Sequence, residues 1–294
     1  MTMKRRRPEW SKIIIYTLLF LLTLTVLVPI LNLLALSLTE PNRAHLMSGL
    51  DIWPKGWSFV NYEVLMSNPL ITGSILNSVW ITGAGTFLNL FLTSMAAYVL
   101  GRTDFVGKRV VLVFLIIIMV FEPGLIPEYL LVKDLGLLDS FTALILYKAV
   151  NVYYLFILMR FFQDIPEEIL EAARIDGAGH FRTYTGMILP LSKPGLATLG
   201  LFYGVFHWNE YFRATIYMTT PDKWPLQVVL RQFVVRQDNT AILGVQNLFG
   251  GSANLDFASL QAGTIIIAMV PLLILYPFIL KYYAKGALEG GVKD

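Results

Sequence analysis

Residues 171–190 read EAARIDGAGHFRTYTGMILP, a polar stretch set between long apolar runs. Its local chemistry predicts an elbow of two short helices. Upstream, Asp164 is placed to cap a helix and Pro166 to occupy its first turn, where a missing N–H costs little. Glu167 and Glu168 suit the positive end of the helix dipole. Ile165, Ile169 and Ala173 recur at helical spacing and predict one packing face, with Glu168, Glu171 and Arg174 directed elsewhere. Ala172 and Ala173 are small enough to let another surface come close. Asp176-Gly177 ends the helix, because glycine adopts left-handed backbone cheaply. A second helix is expected over about 179–187, after which Leu189-Pro190 turns the chain into the next apolar run, opened by Pro194.

The composition places this elbow in a membrane protein. Hydrophobic residues make up 56% of 294 positions, charged residues 15%, and mean hydropathy is +0.63. Soluble domains carry about 25% charged residues. The apolar residues lie in long runs, which predicts an all-α polytopic membrane protein. A net charge of +3 gives no reason to expect a nucleic-acid partner. The absence of cysteine excludes disulfide and thiol chemistry. His45, His180 and His207 are dispersed, so no metal site is expected. Lys4-Arg5-Arg6-Arg7 precede an apolar run ending near Leu38, longer than the roughly 7–15 residues of a signal-peptide core. That run reads as a retained helix.

Six spans are expected, at about 12–38, 70–100, 109–132, 141–163, 194–219 and 257–281, in a single domain over 1–294. The second is expected to be interrupted at Gly73 and Gly83-Ala84-Gly85, the third around Pro123-Gly124 and Pro127. Most of the 23 lysines and arginines fall in the N-terminal arm, the 101–109 turn, the 160–193 region and the C-terminal tail. With six spans these share one side, the cytoplasmic one by the positive-inside rule, which puts both termini inside and 164–193 in the cytoplasm. The outward segments are then 39–69, 133–140 and 220–256, carrying Trp53, Trp57 and Trp224 at interfacial positions.

The spacing of Glu171-Ala172-Ala173, Asp176-Gly177 and Leu189-Pro190 resembles the coupling loop of ATP-binding-cassette importer permeases, with Met187 where that family usually has Ile. His207-Trp208-Asn209-Glu210-Tyr211-Phe212 and the tail Lys285-Gly286, Glu289 to Lys293 resemble the maltose-type carbohydrate subfamily. Gly124-Leu125-Ile126-Pro127, Leu130 to Lys133 and Leu135 to Ser140 are similar to a branch associated with complex, uronate-containing oligosaccharides. The resemblance implies the type I permease architecture in a bacterial inner membrane. It implies a second homologous permease, two ATPase subunits and an extracytoplasmic solute-binding protein as partners. It makes the elbow the ATPase-coupling element and 220–256 a docking element for the binding protein. The chain lacks a G-x4-GK-[ST] phosphate loop, so ATP and Mg are expected only on the partner ATPases, with no cofactor on this chain.

Charges at membrane depth are costly and default to functional readings. Glu122, Lys148, Glu210 and Arg213 are such charges. Asn151, Tyr153 and Tyr154, with His207, Trp208, Asn209 and Tyr211, supply polar groups and aromatic faces of the kind that hold sugars. Together they form the expected substrate pathway. Each has a structural alternative: Glu210 and Arg213 as an internal ion pair, His207 as a hydrogen-bonded packing residue, the aromatics as packing. Gly200 and Gly204 read as a close helix contact. An ion-coupled secondary transporter using Glu122 is the alternative function. A membrane enzyme would need clustered carboxylates or histidines, which the chain lacks.

Overall fold

Long runs of Leu, Ile, Val and Phe must satisfy their own backbone in lipid, which only helices and closed barrels do. The computed structural model describes residues 10–234 and 256–290, and these are helical nearly throughout. Among them the extended backbone makes a lone bridge, Thr39 to Trp57.

The order is α1 (Trp10–Ser37), a 3-10 turn (Pro41–Leu46), α2 (Val60–Ser67) and α3 (Pro69–Arg102). Then come α4 (Lys108–Val120), α5 (Leu125–Asp134), α6 (Phe141–Leu146) and α7 (Val152–Gln163). The elbow holds α8 (Glu167–Ile175), α9 (His180–Thr183), a π-helical turn (Tyr184–Ile188) and α10 (Leu189–Leu191). The chain continues through α11 (Lys193–Trp208), α12 (Phe212–Tyr217), α13 (Leu226–Val234) and α14 (Phe257–Gly290).

Three helical stretches among the described residues are long and apolar enough to cross a membrane: Lys12–Ser37, Pro69–Arg102 and Phe257–Pro277. The pair α4 and α5 qualifies jointly but is bent by 113°. The break expected near Pro123-Gly124 is present, with Gly124 at φ +81. Pro127 falls in the first turn of α5 and breaks nothing.

Three further expectations about the spans need correction. The second span is not interrupted at Gly73 or Gly83-Ala84-Gly85, because α3 is continuous. The small residue at 85 serves packing: a Cβ there would lie 2.5 Å from His207 Nε2. The stretch 141–163 is not one helix. Lys148 takes φ +50, and the Asn151 side chain accepts the N–H groups of Tyr153 and Tyr154, which starts α7 afresh. The carbonyls freed at Lys148 and Ala149 accept hydrogen bonds from buried Asn89, at 2.8 and 3.1 Å. The stretch 194–219 is likewise split, at Asn209 to Tyr211, where the Asn209 amide turns back onto the Val205 carbonyl.

The described residues gather into two compact units. One holds those up to Thr72 and those between Leu230 and Met269; the other holds Gly73–Val229 and those from Val270 on. In the first, Val64, Leu65, Ile71, Phe233 and Leu260 are buried. Asn61 there donates to the carbonyls of Ser37 and Thr39 and accepts from Ser259. In the second, the core runs through Ala97, Leu155, Leu158, Phe162, Leu170, Ile188 and Leu199. Helices in lipid gain little from burying apolar surface, so close approach and interhelical hydrogen bonds decide their packing. Small residues provide the approach: Gly85 and Gly204 face His207 and Thr86, Gly195 faces Phe161, and Gly101 faces Met159. Thr93 with Tyr203 (2.8 Å) and Ser94 with Tyr184 (2.7 Å) provide bonds, each worth about 0.6 kcal/mol.

Candidate functional site

The elbow begins where α7 ends. Asp164 is the C-cap of α7 and pairs with Arg160 at 3.3 Å, so it does not cap α8 as expected. Pro166 holds the N-cap position without a capping side chain. The junction is held instead by Arg102, at the end of α3. Its guanidinium donates to the carbonyls of Phe162 (2.7 Å) and Ile165 and to Glu167 (2.8 Å). Glu167 also meets Arg174 at 3.3 Å.

Ile165, Leu170 and Ala173 are buried, whereas Ile169 is exposed, so the packing face lies one position later than the spacing of Ile165 and Ile169 indicates. Gly177, at φ +78, terminates α8: Ala178 N–H bonds the Ala173 carbonyl and Gly177 N–H the Arg174 carbonyl, a Schellman closure. Leu189-Pro190 does not turn the chain. Both continue the helical path out of the π-helical turn Tyr184–Ile188, and that path is broken only at Ser192.

Of the residues expected to couple, Glu171, Ala172, Asp176, Gly177 and Pro190 face outward, Met187 and Leu189 are half-buried, and Ala173 packs inward. Ile175 and Phe181 are 87% and 79% exposed, a pair of large apolar groups beside the glycine bend that sequence reasoning missed. Their position off the packing face was the available signal.

The second feature is a cavity of about 570 Å³ in the unit that holds α4 to α12, lined by Glu122, Glu128, Tyr147, Lys148, Asn151, Tyr153, Phe212 and Arg213, with Pro123-Gly124 at the α4–α5 break. Arg213 lies on the Tyr147 ring, 3.7 Å from its centre, and is bracketed by Glu128 at 2.8 Å and Glu210 at 3.4 Å. Tyr217 also donates to Glu128. Lys148 pairs with Glu122 at 2.8 Å.

Five of the expected pathway residues therefore line one space: Glu122, Lys148, Asn151, Tyr153 and Arg213. The Asn151 oxygen is occupied in capping α7. Glu210 stands behind Arg213. Tyr154 packs edge-on against Tyr203, and His207 is buried with Nε2 2.8 Å from Asn89 Oδ1. Trp208 is buried; Asn209 and Tyr211 lie at the break between α11 and α12. None of these last five is among the cavity's lining residues. Glu128 and Tyr147 were missed, since the group that brings both into the site, Arg213, lies far from either in sequence. The expected docking segment is described only as far as α13; residues 235–255, with Asn239, Gly244, Asn247, Gly250, Gly251, Ser252 and Asn254, lie outside the described residues, as do 291–294 of the tail.

No family model matches the chain. It is 38% identical over 280 residues, covering 95% of this chain and 97% of the relative, to the polygalacturonan/rhamnogalacturonan transport system permease protein YtcP of Bacillus subtilis (strain 168). The chain belongs to the sugar ABC transporter permeases. The permease is also 32% identical over 302 residues to the arabinooligosaccharides transport system permease protein AraQ of the same organism, covering 99% of this chain and 100% of that one. A solved bacterial ABC transporter involved in importing the acidic polysaccharide alginate has a chain matching it with TM-score 0.87 at 27% identity, covering 96% of this chain and all of that one. The protein is thus a helical membrane permease with the ABC importer architecture and not an enzyme. The ion-coupled and membrane-enzyme alternatives fall with that assignment.

Proposed function

We propose that this permease forms half of the transmembrane gate of a binding-protein-dependent, ATP-driven oligosaccharide importer in a bacterial cytoplasmic membrane. It crosses six times, α4–α5, α6–α7 and α11–α12 each making one broken span, with both termini in the cytoplasm. A homologous permease completes the gate, two ATPase subunits supply ATP and Mg, and a solute-binding protein delivers the sugar to the outer face. ATP closes the ATPase pair, the elbow rides with one ATPase, and the helices shift between inward-open and outward-open packings.

The observation that carries the reading is the elbow itself. Its outward side combines Glu171, Ala172, Asp176 and Gly177 with the exposed Ile175 and Phe181. Its inward side is tied to α3 by Arg102. A small apolar-and-acidic knob on a rigid stem suits a cleft on a soluble motor. The test is Glu171→Arg or Gly177→Arg in the assembled importer. Both variants should insert and assemble, and both should lose ligand-stimulated ATP hydrolysis at least tenfold. Full stimulation in both would overturn the reading.

A further inference from the structure

The carboxylates and cations of the cavity are not equivalent. Arg213 is committed: its side chain is 22% exposed, and Glu128 and Glu210 at 18% and 10% enclose it while Tyr147 covers its face. Two carboxylates outnumber this one cation, so no positive charge is left over there for an anionic ligand. Lys148 has a single carboxylate, and that partner, Glu122, is 67% exposed. This pair at the cavity is far less enclosed than the Arg213 cluster, so it is the one that can exchange partners.

The backbone under Lys148 is fixed. This non-glycine residue sits at φ +50, an uncommon conformation that persists only where surroundings enforce it. Asn89 enforces it by donating to the Lys148 and Ala149 carbonyls, and Asn89 is itself oriented by His207. A rigid base thus presents one ammonium to the cavity. The same space holds Tyr153, with the aromatic ring a sugar face stacks on.

We infer that Lys148 is the specificity residue of this permease for acidic sugars: a uronate carboxylate displaces Glu122 from the Lys148 ammonium, and Glu122 turns to water. Glu122 is then a stand-in for the substrate carboxylate, holding the lysine when the cavity is empty. This rests on the oligosaccharide-importer reading and adds the charge of the cargo.

The experiment uses the assembled importer with its binding protein. It compares a galacturonate oligosaccharide with the same oligosaccharide methyl-esterified at its carboxyls, by half-saturating concentration for stimulated ATP hydrolysis. Lys148→Gln should raise the acid-to-ester ratio at least tenfold. Glu122→Gln should lower it several-fold, and Lys148→Arg should hold it near that of the unmodified complex. A merely structural pair predicts that Gln at either position impairs both sugars alike. That result, or a complex stimulated only by the ester, overturns the inference while leaving the importer reading intact. A complex stimulated by neither sugar overturns the inference, and only absence of stimulation by every oligosaccharide that its binding protein holds overturns the importer reading as well.

Discussion

Asp139 fastens two loops through its backbone and its side chain at once. Its N–H bonds the Tyr217 carbonyl at 2.8 Å, and its own carbonyl accepts from Lys223 Nζ at 2.7 Å. Its carboxylate accepts from Lys223 and the Thr220 hydroxyl at 2.7 Å and from the N–H groups of Thr219 and Thr220 at 3.0 Å. Lys223, foremost, and Thr220 hold the carboxyl well below the usual aspartate range. A lowered folded-state pKa contributes stability that is complete above the unfolded value near 4 and is lost only as pH falls through the folded value. Asp139→Asn tests this without disturbing the left-handed φ of 55, which asparagine tolerates. It should lower the thermal midpoint of the purified complex by the same amount at pH 5 and pH 8. A loss appearing only at the lower pH would contradict the assignment. None of this was visible in sequence, because Lys223 lies 84 positions from Asp139.

Arg102 sets how the elbow is joined to the bundle. Its side chain is 10% exposed and it bridges three elements, α3, the end of α7 and the start of α8. Charge-assisted hydrogen bonds are worth about 1.5–3 kcal/mol each, so removing the guanidinium loosens the junction by a few kcal/mol. Arg102→Met should leave ATP hydrolysis present while sugar moved per ATP falls about tenfold, measured in proteoliposomes, with Arg102→Lys partly restoring the ratio. An unchanged ratio would make Arg102 a simple cap for α7. At this scale the sequence was informative about where helices stop for local reasons: Gly177 and Gly124 both break the chain where expected, each in a conformation that glycine favours. It misjudged Gly83-Ala84-Gly85, because a small residue ends a helix in water but invites a neighbour in a membrane. It missed the breaks at Lys148 and Asn209 because their stabilising partners, Asn89 for one and a turned-back side-chain amide for the other, are not encoded in periodicity.

The molecule leaves most of α1 uncovered, with Ile13 to Leu22 exposed along its length. Such a surface belongs against lipid or a second subunit. If the chain is half a gate, it should co-purify with a homologous permease and two ATPases when the four are expressed together. Purified alone, it should bind no nucleotide in a filter-binding assay. Nucleotide binding by the lone chain would break the division of labour proposed above.

Composition and run length fixed the membrane class, since 56% apolar residues in long stretches have no other way to satisfy their backbone. The spacing of small, acidic and glycine residues in 171–190 likewise determined the elbow, because helix stop signals act within a few residues. The charge economy of the cavity was decided only by the tertiary structure. Glu122 meets Lys148 across 26 positions and Glu128 meets Arg213 across 85. Those pairings exist because the packed bundle brings the α4–α5 break, the turn after α6 and α12 around one cavity, a property that no single segment carries.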